Sequence, residues 1–413
     1  MIMFEKSFTL GTALALVSYL GVSHARSAPA SDWPEFRGPH LNGYVADAEI
    51  PQAPVVRWKA DLVGRGLSSP IVVGDRVFVT CASGPKQESL HVMAFRAVDG
   101  AKLWDRELKA TGRTMSHPKT CVAAPSPCSD GKRIFAIWSC NDVAAFDLEG
   151  NLLWLRGLTV DYPNVSNSLG MAASLVMAGE TVIAPVENDS ESYTIGLDAA
   201  TGRNLWKVER PKAANWCTPV LWHSDGHSAP VAVLQGPDGL VGVDAATGSQ
   251  LWEYKDSASS MSSSVVTERG IFAASHGVTA LLPGASGEAP KQLWRLEQLN
   301  ASTASLVLCA DKLYALNGAG VMVQGGLDGS RGWKLRLKGP FSGSPVAGGR
   351  RIVVVNEHGL VQVVDTEKAE GAVVGSLDLK DQLADKELIL STPALRGKEI
   401  FLRSDGHLWC LGQ

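Results

Sequence analysis

The first candidate for chemistry in this sequence is a tryptophan that stands apart from the others. Trp216 lies in the segment Asn-Trp-Cys-Thr-Pro at residues 215–219. At the start of a strand its large, flat ring could stack on a ligand or on a peptide, with its N–H still free to donate a hydrogen bond. The alternative is a packed or half-buried structural tryptophan. Trp216 is therefore a candidate ligand-binding residue with a structural interpretation beside it.

Two further sets of polar residues could contribute to a binding site. Asn188 belongs to the compact acidic stretch at residues 187–191, which could hold a weakly bound cation but is more typical of an exposed hairpin loop. His276, Glu357 and His358 lie in His-Gly turns at equivalent positions of two repeats. They could form a polar rim around a site, or serve as ordinary turn residues.

Patterns typical of catalytic or metal sites are missing from the sequence. His223 and His227 have a chelating spacing only if they lie on a helix, and Gly226 and Pro230 make this stretch a predicted loop. No Gly-x-Ser-x-Gly elbow occurs, and the glycine-rich run at residues 325–329 has no following Lys-Ser/Thr or helix. We expect no metal ligand set and no catalytic residue.

Composition and charge exclude several other classes of protein. The chain has 413 residues, with 38 Lys plus Arg against 42 Asp plus Glu, a net charge of −4. No basic run is longer than Arg350-Arg351, so the electrostatic footprint of a nucleic-acid-binding protein is absent. The 12 tryptophans outnumber the 10 phenylalanines, which calls for positions where large flat rings recur.

The N-terminus has the pattern of a secretory signal peptide. Lys6 precedes an apolar run from Leu10 to Val22, and small residues follow up to Ala25. That run is shorter than the roughly 20 residues needed to cross a bilayer, although a retained anchor is the alternative. No cysteine directly follows the apolar run, so lipid attachment is not expected. We predict a signal peptide at residues 1–25, a lead-in at 26–54, one domain at 55–413, and a periplasmic or extracellular location.

The seven cysteines are scattered and odd in number. Cys121 and Cys128 could pair, because an exported compartment permits disulfides. Buried free thiols, acting as small apolar side chains, are the preferred interpretation. No Cys-x-x-Cys-His occurs, which excludes covalently attached c-type haem.

An internal repeat organises the rest of the chain. Residues 197–206 and 243–252 are identical at seven of ten positions and share an Asp-x-x-Thr-Gly-x-x-Leu-Trp unit. Weaker copies, each ending in tryptophan, recur every 40–50 residues or so, the period of a propeller blade or a helical solenoid. The predicted structural residues of this unit are Asp198, Thr201, Gly202, Trp206, Asp244, Thr247, Gly248 and Trp252, together with Trp58, Trp104, Trp154, Trp294 and Trp333.

Local chemistry favours the propeller. Runs such as 76–80, 351–355 and 360–364 are short, rich in β-branched residues and bounded by glycine turns, which indicates strands. In the repeat unit the aspartate can accept N–H groups of its own turn, and the glycine can take a positive φ. The tryptophan then lies on the next strand, where it can cover the gap to the neighbouring blade.

Eight strand starts rich in small and hydroxylic residues precede the tryptophan units and give the blade count. The last blade, ending at Trp409-Cys410, has no tryptophan strand after it, whereas residues 55–58 form such a strand with no blade before it. We therefore predict an all-β protein, a single eight-bladed β-propeller of four-stranded blades. Pairing of this N-terminal strand with the C-terminal blade closes the ring and removes the open edge.

These motifs resemble the PQQ-like (quinoprotein-type) β-propeller repeat family over about residues 32–413. The units at 198–206 and 244–252 are highly characteristic of that family, and the lead-in at 32–39 is similar to that of an exported bacterial subgroup. The resemblance implies eight blades. It also implies either a PQQ-dependent dehydrogenase or a non-enzymatic propeller such as the outer-membrane protein assembly factor.

The resemblance implies PQQ stacked between a tryptophan and a disulfide of adjacent cysteines, beside Ca²⁺ held by acidic and amide oxygens. Here no two cysteines are adjacent, and the loops at 257–264 and 300–305 are small and hydroxylic. The cofactor therefore stays undetermined. We expect a monomeric, exported, non-catalytic binding or scaffold module for another exported protein or a small ligand. The alternative is a quinoprotein-type oxidoreductase or another cryptic enzyme that uses the mouth of the channel.

Overall fold

Short strands joined by tight turns make up nearly all of the regular structure. The computed structural model describes residues 32–166, 169–223, 229–284 and 287–413, so the predicted signal peptide at 1–25 and His227 lie outside the described residues. Within those ranges the helical structure consists of one α-helical turn, Leu158–Asp161, and one 3₁₀ turn, Lys380–Gln382. The all-β prediction is confirmed.

The strands form eight sheets, and each sheet contains one four-stranded antiparallel blade. The first strands of neighbouring blades lie against one another, so they surround the centre of the propeller. From the centre outward the strands are Ile71–Val73, Arg76–Ser83, Ser89–Arg96 and Lys102–Lys109 (blade 1); Cys128–Ser129, Arg133–Ile137, Asp142–Asp147 and Leu152–Gly157 (blade 2); Val176–Ala178, Thr181–Val186, Tyr193–Asp198 and Asn204–Glu209 (blade 3); Val220–Trp222, Val231–Gly236, Gly239–Asp244 and Gln250–Lys255 (blade 4); Val265–Thr267, Gly270–Ala273, Val278–Leu282 and Lys291–Leu296 (blade 5); Val307–Cys309, Lys312–Leu316, Val321–Gly326 and Arg331–Arg336 (blade 6); Val346–Gly348, Arg351–Val355, Leu360–Asp365 and Ala372–Asp378 (blade 7); Ala394–Arg396, Glu399–Arg403, His407–Gly412 and Val55–Asp61 (blade 8).

The N-terminal strand closes the propeller as predicted. Val55–Asp61 runs antiparallel to His407–Gly412 and is the outermost strand of blade 8. Its Trp58 also reaches blade 1, where the indole Nε1 donates to the carbonyl oxygen of Ala97 at 2.8 Å. The two ends of the chain therefore share one sheet, and that sheet is fastened to the first blade.

Six of the seven repeat tryptophans pack on a turn glycine of the next blade, and Trp252 is the exception. Gly202 has a φ of +69°, and a Cβ added there would lie 2.7 Å from the ring of Trp154. The Trp154 Nε1 donates to the carbonyl oxygen of Ala199 in the same turn at 3.0 Å. Asp198 shapes this turn, because its Oδ1 accepts the backbone N–H and the hydroxyl of Thr201 at 2.8 and 2.7 Å. The same ring-on-glycine contact occurs in the pairs Trp58–Gly100, Trp104–Gly150, Trp206–Gly248, Trp294–Gly329 and Trp333–Gly371.

Hydroxyl groups join the blades at the centre. The backbone N–H of Ser69 in blade 1 donates to the Oγ of Ser126 in blade 2 at 2.8 Å, and the N–H of Ser126 donates to the Oγ of Ser174 in blade 3 at 3.0 Å. Similar hydrogen bonds of 2.9–3.0 Å continue to blade 8. We call the eight residues, one from each blade and all buried, the hydroxyl ring: Ser69, Ser126, Ser174, Thr218, Ser263, Ser305, Ser344 and Thr392.

A buried arginine bridges the junction between blades 8 and 1. Arg403 of blade 8 is fully buried, and its Nη1 donates to the carbonyl oxygen of Thr80 at 2.6 Å and to the Oγ of Ser68 at 3.2 Å. Nearby, Arg65 and Asp405 form an ion pair of 3.3 Å. The place where the chain closes on itself is therefore held by a guanidinium group in addition to the shared sheet.

The lead-in crosses one end of the channel and closes it. We call residues 33–50 the plug. In five blades the plug makes a hydrogen bond with the residue three positions after the hydroxyl-ring residue. These contacts are Trp33–Val72, Pro34–Ser129, Glu35–Met177, Asn42–Leu308 and Gly43–Ala347, and the short strand Tyr44–Val45 also pairs in parallel with blade 7. The plug therefore lies at the end of the channel opposite the loops that lead into the inner strands.

Two glycines of blade 3 provide a test of the ring-on-glycine contact. Gly179 has a φ of +61° with open space around its missing Cβ, whereas Gly202 has a similar φ but faces Trp154. G179A should reveal the backbone strain alone, and G202A should add the clash with the indole ring. We expect G202A to lower the free energy of unfolding by about 1–3 kcal/mol more than G179A does, as measured by urea denaturation. Equal losses would contradict this account of the repeat.

Candidate functional site

One cavity of about 690 Å³ occupies the centre of the propeller. Its wall contains all eight residues of the hydroxyl ring, and Phe36 from the plug lines it as well. The remaining lining residues come mainly from loops that enter the inner strands, at the end opposite the plug. The cavity is therefore a pocket with a wide mouth, a hydroxyl wall and a floor formed by the plug.

The mouth is largely apolar. The cavity is lined by Trp216, Met261 and Phe341, which lie in the loops that lead into blades 4, 5 and 7. Leu169 and Leu390 add further apolar surface from the loops before blades 3 and 8. An apolar mouth above a hydroxyl wall favours a ligand with an apolar part and a polar part.

The cavity has few charged side chains. Glu357 is the carboxylate in its lining, and its Oε1 accepts the hydroxyl of Ser342 at 2.7 Å. His117 and Lys119 are exposed on one loop at the mouth, where the Nδ1 of His117 accepts the backbone N–H of Lys119 at 3.1 Å. Glu357 lies on a different loop from His117 and Lys119, so the described lining has no cluster of like charges.

Trp216 is held between two neighbouring loops. Its backbone N–H donates to the carbonyl oxygen of Ser260 at 2.8 Å, and its Nε1 donates to the carbonyl oxygen of Gly170 at 3.2 Å. The side chain is half-buried and lines the cavity. Since both polar contacts involve the edge of the indole or the backbone, a face of the ring is left to contact a ligand.

A buried ion pair fixes the segment that carries Trp216. The Nε of Arg210 donates to Glu187 Oε1 at 2.8 Å, with both side chains at most 4% exposed. The amide of Asn215, next to Trp216, donates to the other oxygen of Glu187 at 2.8 Å. The interpretation of residues 187–191 as an exposed loop is wrong for Glu187 and Asn188, which are both buried, Glu187 because Arg210 and Asn215 contact its carboxylate.

The structure brings only two of the five predicted binding residues to the cavity. These are Trp216 and Glu357. The Oδ1 of Asn188 accepts the N–H groups of Ser190, at 2.9 Å, and Ser166, at 3.2 Å, and the residue lines a separate space of about 30 Å³. His276 pairs with Asp256 at 2.9 Å, and His358 is exposed, both outside the cavity lining.

Sequence reasoning overlooked several residues of the site. Phe36 comes from the aperiodic lead-in, and Met261 and Phe341 come from loops that carry no motif. The eight hydroxyl-ring residues did have a sequence signal, because all eight strand starts contain a serine or threonine followed closely by the strand. That signal indicates the number of blades, but nothing in the sequence indicates that these hydroxyls line a single cavity.

Buried thiols add no reactive group to the site. All seven cysteines are free and buried, so Cys121 and Cys128 do not pair. Cys217 is adjacent to Trp216, but burial raises the pKa of its thiol far above the ordinary value. A thiol with a raised pKa stays protonated and is a poor nucleophile.

The lining does not match the requirements of Ca²⁺-bound PQQ. Glu357 is one carboxylate where a hard cation needs several oxygen ligands. Across the described ranges no group of three or more His, Cys, Asp and Glu residues could hold a metal ion. Cys217 has no adjacent cysteine with which to form the disulfide that stacks on the cofactor.

Two ionisable groups of the plug are buried beside the centre. Burial raises the pKa of Glu35 to about 8, although the N–H of Met177 donates to its Oε2 at 3.2 Å. Burial lowers the pKa of Arg37 to about 9, and this guanidinium donates to the carbonyl oxygens of Ser264, at 2.9 Å, and Leu306. At pH 7 Glu35 is therefore neutral and Arg37 is charged.

The fold and the site together define an eight-bladed β-propeller with a central cavity that is open at one end. The chain belongs to the family described as outer membrane protein assembly factor BamB, whose profile matches residues 55–186, 165–322 and 278–411. The resemblance to quinoprotein-type propeller repeats is thereby confirmed.

Individual relatives fall into two groups. Polyvinylalcohol dehydrogenase of Sphingopyxis sp. (strain 113P3) is 26% identical over 200 residues, which is 43% of this chain and 28% of that protein. The structure of BamB from Moraxella catarrhalis aligns with a TM-score of 0.61 at 16% identity, covering 87% of this chain and 98% of that chain. Quinohemoprotein alcohol dehydrogenase from Comamonas testosteroni aligns with a TM-score of 0.68 at 11% identity, covering 94% and 81%. These structural alignments show a shared fold. Among the described residues no helix is long and apolar enough to cross a membrane.

Glu35 makes the stability of the protein depend on pH. Because its pKa is higher in the folded state than in the unfolded chain, the folded state binds more protons between about pH 5 and 8. Stability should therefore fall as pH rises through this range, by up to about 1.4 kcal/mol per pH unit. Glu35→Gln keeps a similar shape without a charge and should flatten the decline in urea unfolding measured at pH 5, 6.5 and 8.

Glu49→Gln is the matched control, because Glu49 lies on the same plug but is exposed and pairs with Lys398 at the surface. Its pH profile should follow that of the unsubstituted protein. A decline that persists unchanged in Glu35→Gln would contradict the burial of an ionisable Glu35.

Proposed function

We propose that this protein is an exported, non-catalytic binding module that holds a ligand in its central cavity. The observation that carries the proposal is the cavity itself, whose volume of about 690 Å³ lies in the range of ligand pockets, roughly 300–1,000 Å³. Its floor is closed by the plug, so a ligand enters and leaves at the mouth. The occupant is a small molecule or an inserted segment of another exported protein.

The hydroxyl groups of the cavity are arranged for binding. A serine nucleophile needs a base within hydrogen-bonding distance. In the part of the chain that the structure describes, no histidine imidazole bonds to a hydroxyl that lines the cavity. Among the described residues that line the cavity, the one serine–carboxylate contact is that of Ser342 with Glu357, which lies at the mouth and has no third group to orient it. These arrangements support recognition of a ligand without chemical change.

Export and partners are part of the same proposal. The signal-peptide pattern of residues 1–25 supports export to the periplasm or the outside of the cell, followed by the lead-in at 26–54 and the propeller at 55–413. The family description names an assembly factor for outer membrane proteins, which favours another exported protein as a partner. We expect a monomer, because the strand closure leaves no open edge in the ring of blades.

A quinoprotein-type dehydrogenase is the second candidate. The similarity to polyvinylalcohol dehydrogenase favours it, although the match spans 28% of that protein. The single carboxylate of the lining and the absence of adjacent cysteines weigh against it. We therefore retain it as the alternative that an activity measurement must address.

Blocking the cavity tests the proposed function. Ala172 lines the cavity, and Ala200 is exposed in the outer turn of the same blade. The probe is N-phenyl-1-naphthylamine, a neutral dye whose emission rises in apolar surroundings. We expect saturable binding of one dye per chain, weakened at least tenfold by A172W because the indole fills the cavity, and unchanged in A200W. Equal binding in both variants would show that the dye does not use the cavity.

The same preparation is then mixed with PQQ, Ca²⁺, a dye acceptor and primary or secondary alcohols. We expect no acceptor reduction above that of the free cofactor. Cofactor-dependent oxidation that W216A abolishes would replace the binding module with the dehydrogenase alternative. Thermal unfolding of every variant checks that a loss of binding does not come from a loss of fold.

A further inference from the structure

We propose that the hydroxyl ring is an oxyanion site, so that the cavity selects ligands that carry a carboxylate or phosphate group on an apolar body. This inference rests on the proposed function and adds the chemistry of the ligand. It comes from three features of the described residues: unused hydroxyl hydrogens, buried guanidinium groups next to the ring, and the apolar surfaces at either end.

The hydrogen bonds that join the blades use the ring hydroxyls as acceptors. The Oγ of Ser126, for example, accepts the N–H of Ser69, which leaves its own O–H hydrogen available. No described residue accepts a hydrogen bond from any ring hydroxyl. Since all eight residues line the cavity and a hydroxyl hydrogen can rotate, these unused donors can serve a ligand there, and such a set of donors pairs best with a group that only accepts.

Two buried arginines donate hydrogen bonds to residues that are next to ring residues in the sequence. Arg37 donates to the carbonyl oxygens of Ser264 and Leu306, which directly follow ring residues of blades 5 and 6. Arg403 donates to the Oγ of Ser68, which directly precedes the ring residue of blade 1. Their partners are carbonyl, hydroxyl and thiol groups, so their positive charge is available to a buried anion.

The acidic groups near the centre do not cancel the positive charges of Arg37 and Arg403. Glu35 accepts a backbone N–H in the plug and is protonated at neutral pH. Asp405 is near Arg403, but its carboxylate is paired with Arg65. Glu357 lies at the mouth against Ser342, while the exposed Lys119 and His117 face the entrance from another loop. Negative charge therefore lies at the mouth or is neutralised, and the ring favours an anion.

Apolar side chains at both ends of the cavity would contact the apolar part of the ligand. Phe36 lies at the plug end of the cavity, and Trp216 and Phe341 lie at the mouth. A ligand with its oxyanion among the ring hydroxyls would place its apolar body against these rings. A short amphipathic acid or an organic phosphate has this composition, and an acidic side chain of a partner protein offers the same head group.

Isothermal titration of the full chain at pH 7 tests the inference with four probes of similar size. Phenylacetate and phenyl phosphate distinguish the two sources of the oxyanion, phenylacetamide is the neutral counterpart, and phenethylammonium is the cation. We expect at least one anion to bind ten times more tightly than the amide, and the cation to bind more weakly still. The anion should lose its binding in A172W and keep it in A200W.

Single hydroxyl substitutions assign the effect to the ring. Ser69 is the ring residue whose hydroxyl accepts no hydrogen bond from another described residue, so S69A removes a donor without breaking a link between blades. S302A removes a hydroxyl that lines the mouth and lies outside the ring. We expect S69A to weaken binding of the anion about three- to tenfold and leave the amide unchanged, and S302A to change neither.

Each contrary result has a distinct meaning. Equal affinities for anion and amide, both lost in A172W, would overturn the oxyanion site and leave the proposed binding function standing. An anion preference that S69A does not reduce would remove the ring from the site and overturn the inference. Binding of every probe that persists in A172W would overturn both the inference and the proposed function.

Discussion

Eight inner strands begin at the centre of the propeller, and each begins with a backbone N–H that has no strand beside it to accept it. A buried N–H without an acceptor costs free energy, about 1–3 kcal/mol. Seven of these groups donate to a serine or threonine of the next blade, so one side-chain type solves the same problem at every junction from blade 1 to blade 8. The residue must be small to leave a channel and hydroxylic to accept the N–H. The cavity and its chemistry both follow from that constraint.

The other features of the fold complete this central arrangement. At the outer side, tryptophan rings pack on turn glycines at six of the eight junctions between blades, as Trp154 does on Gly202. At the junction of the chain ends, the strand of residues 55–61 and the guanidinium of Arg403 join blade 8 to blade 1. The plug converts a channel into a pocket, and it brings Phe36 and Arg37 to the centre. The binding function that we propose rests on this wall, because it presents hydrogen-bond donors that the fold itself does not use.

The sequence predicts the architecture better than the site, for physical reasons. Blade number, strand pairing and closure follow from repetition, because each unit must bury its face against the next. The plug has no period, so neither the position of Phe36 nor the burial of Glu35 could be read from it. Burial of Glu187 depends on Arg210 and Asn215, which lie on other segments of the chain. His276 and His358 share a turn type with Glu357, but a turn type does not determine which side chains reach the centre.

Native-state amide hydrogen exchange of the full chain measures the central claim most directly. If the N–H groups of the hydroxyl ring carry the constraint described above, the amides of Ser69, Ser126, Ser174, Thr218, Ser263, Ser305 and Ser344 should exchange together, in the slowest class, near the rate set by global unfolding. Exchange of these amides as fast as that of the outer turns, such as Ala200 and Ala246, would contradict the claim that the ring joins the blades.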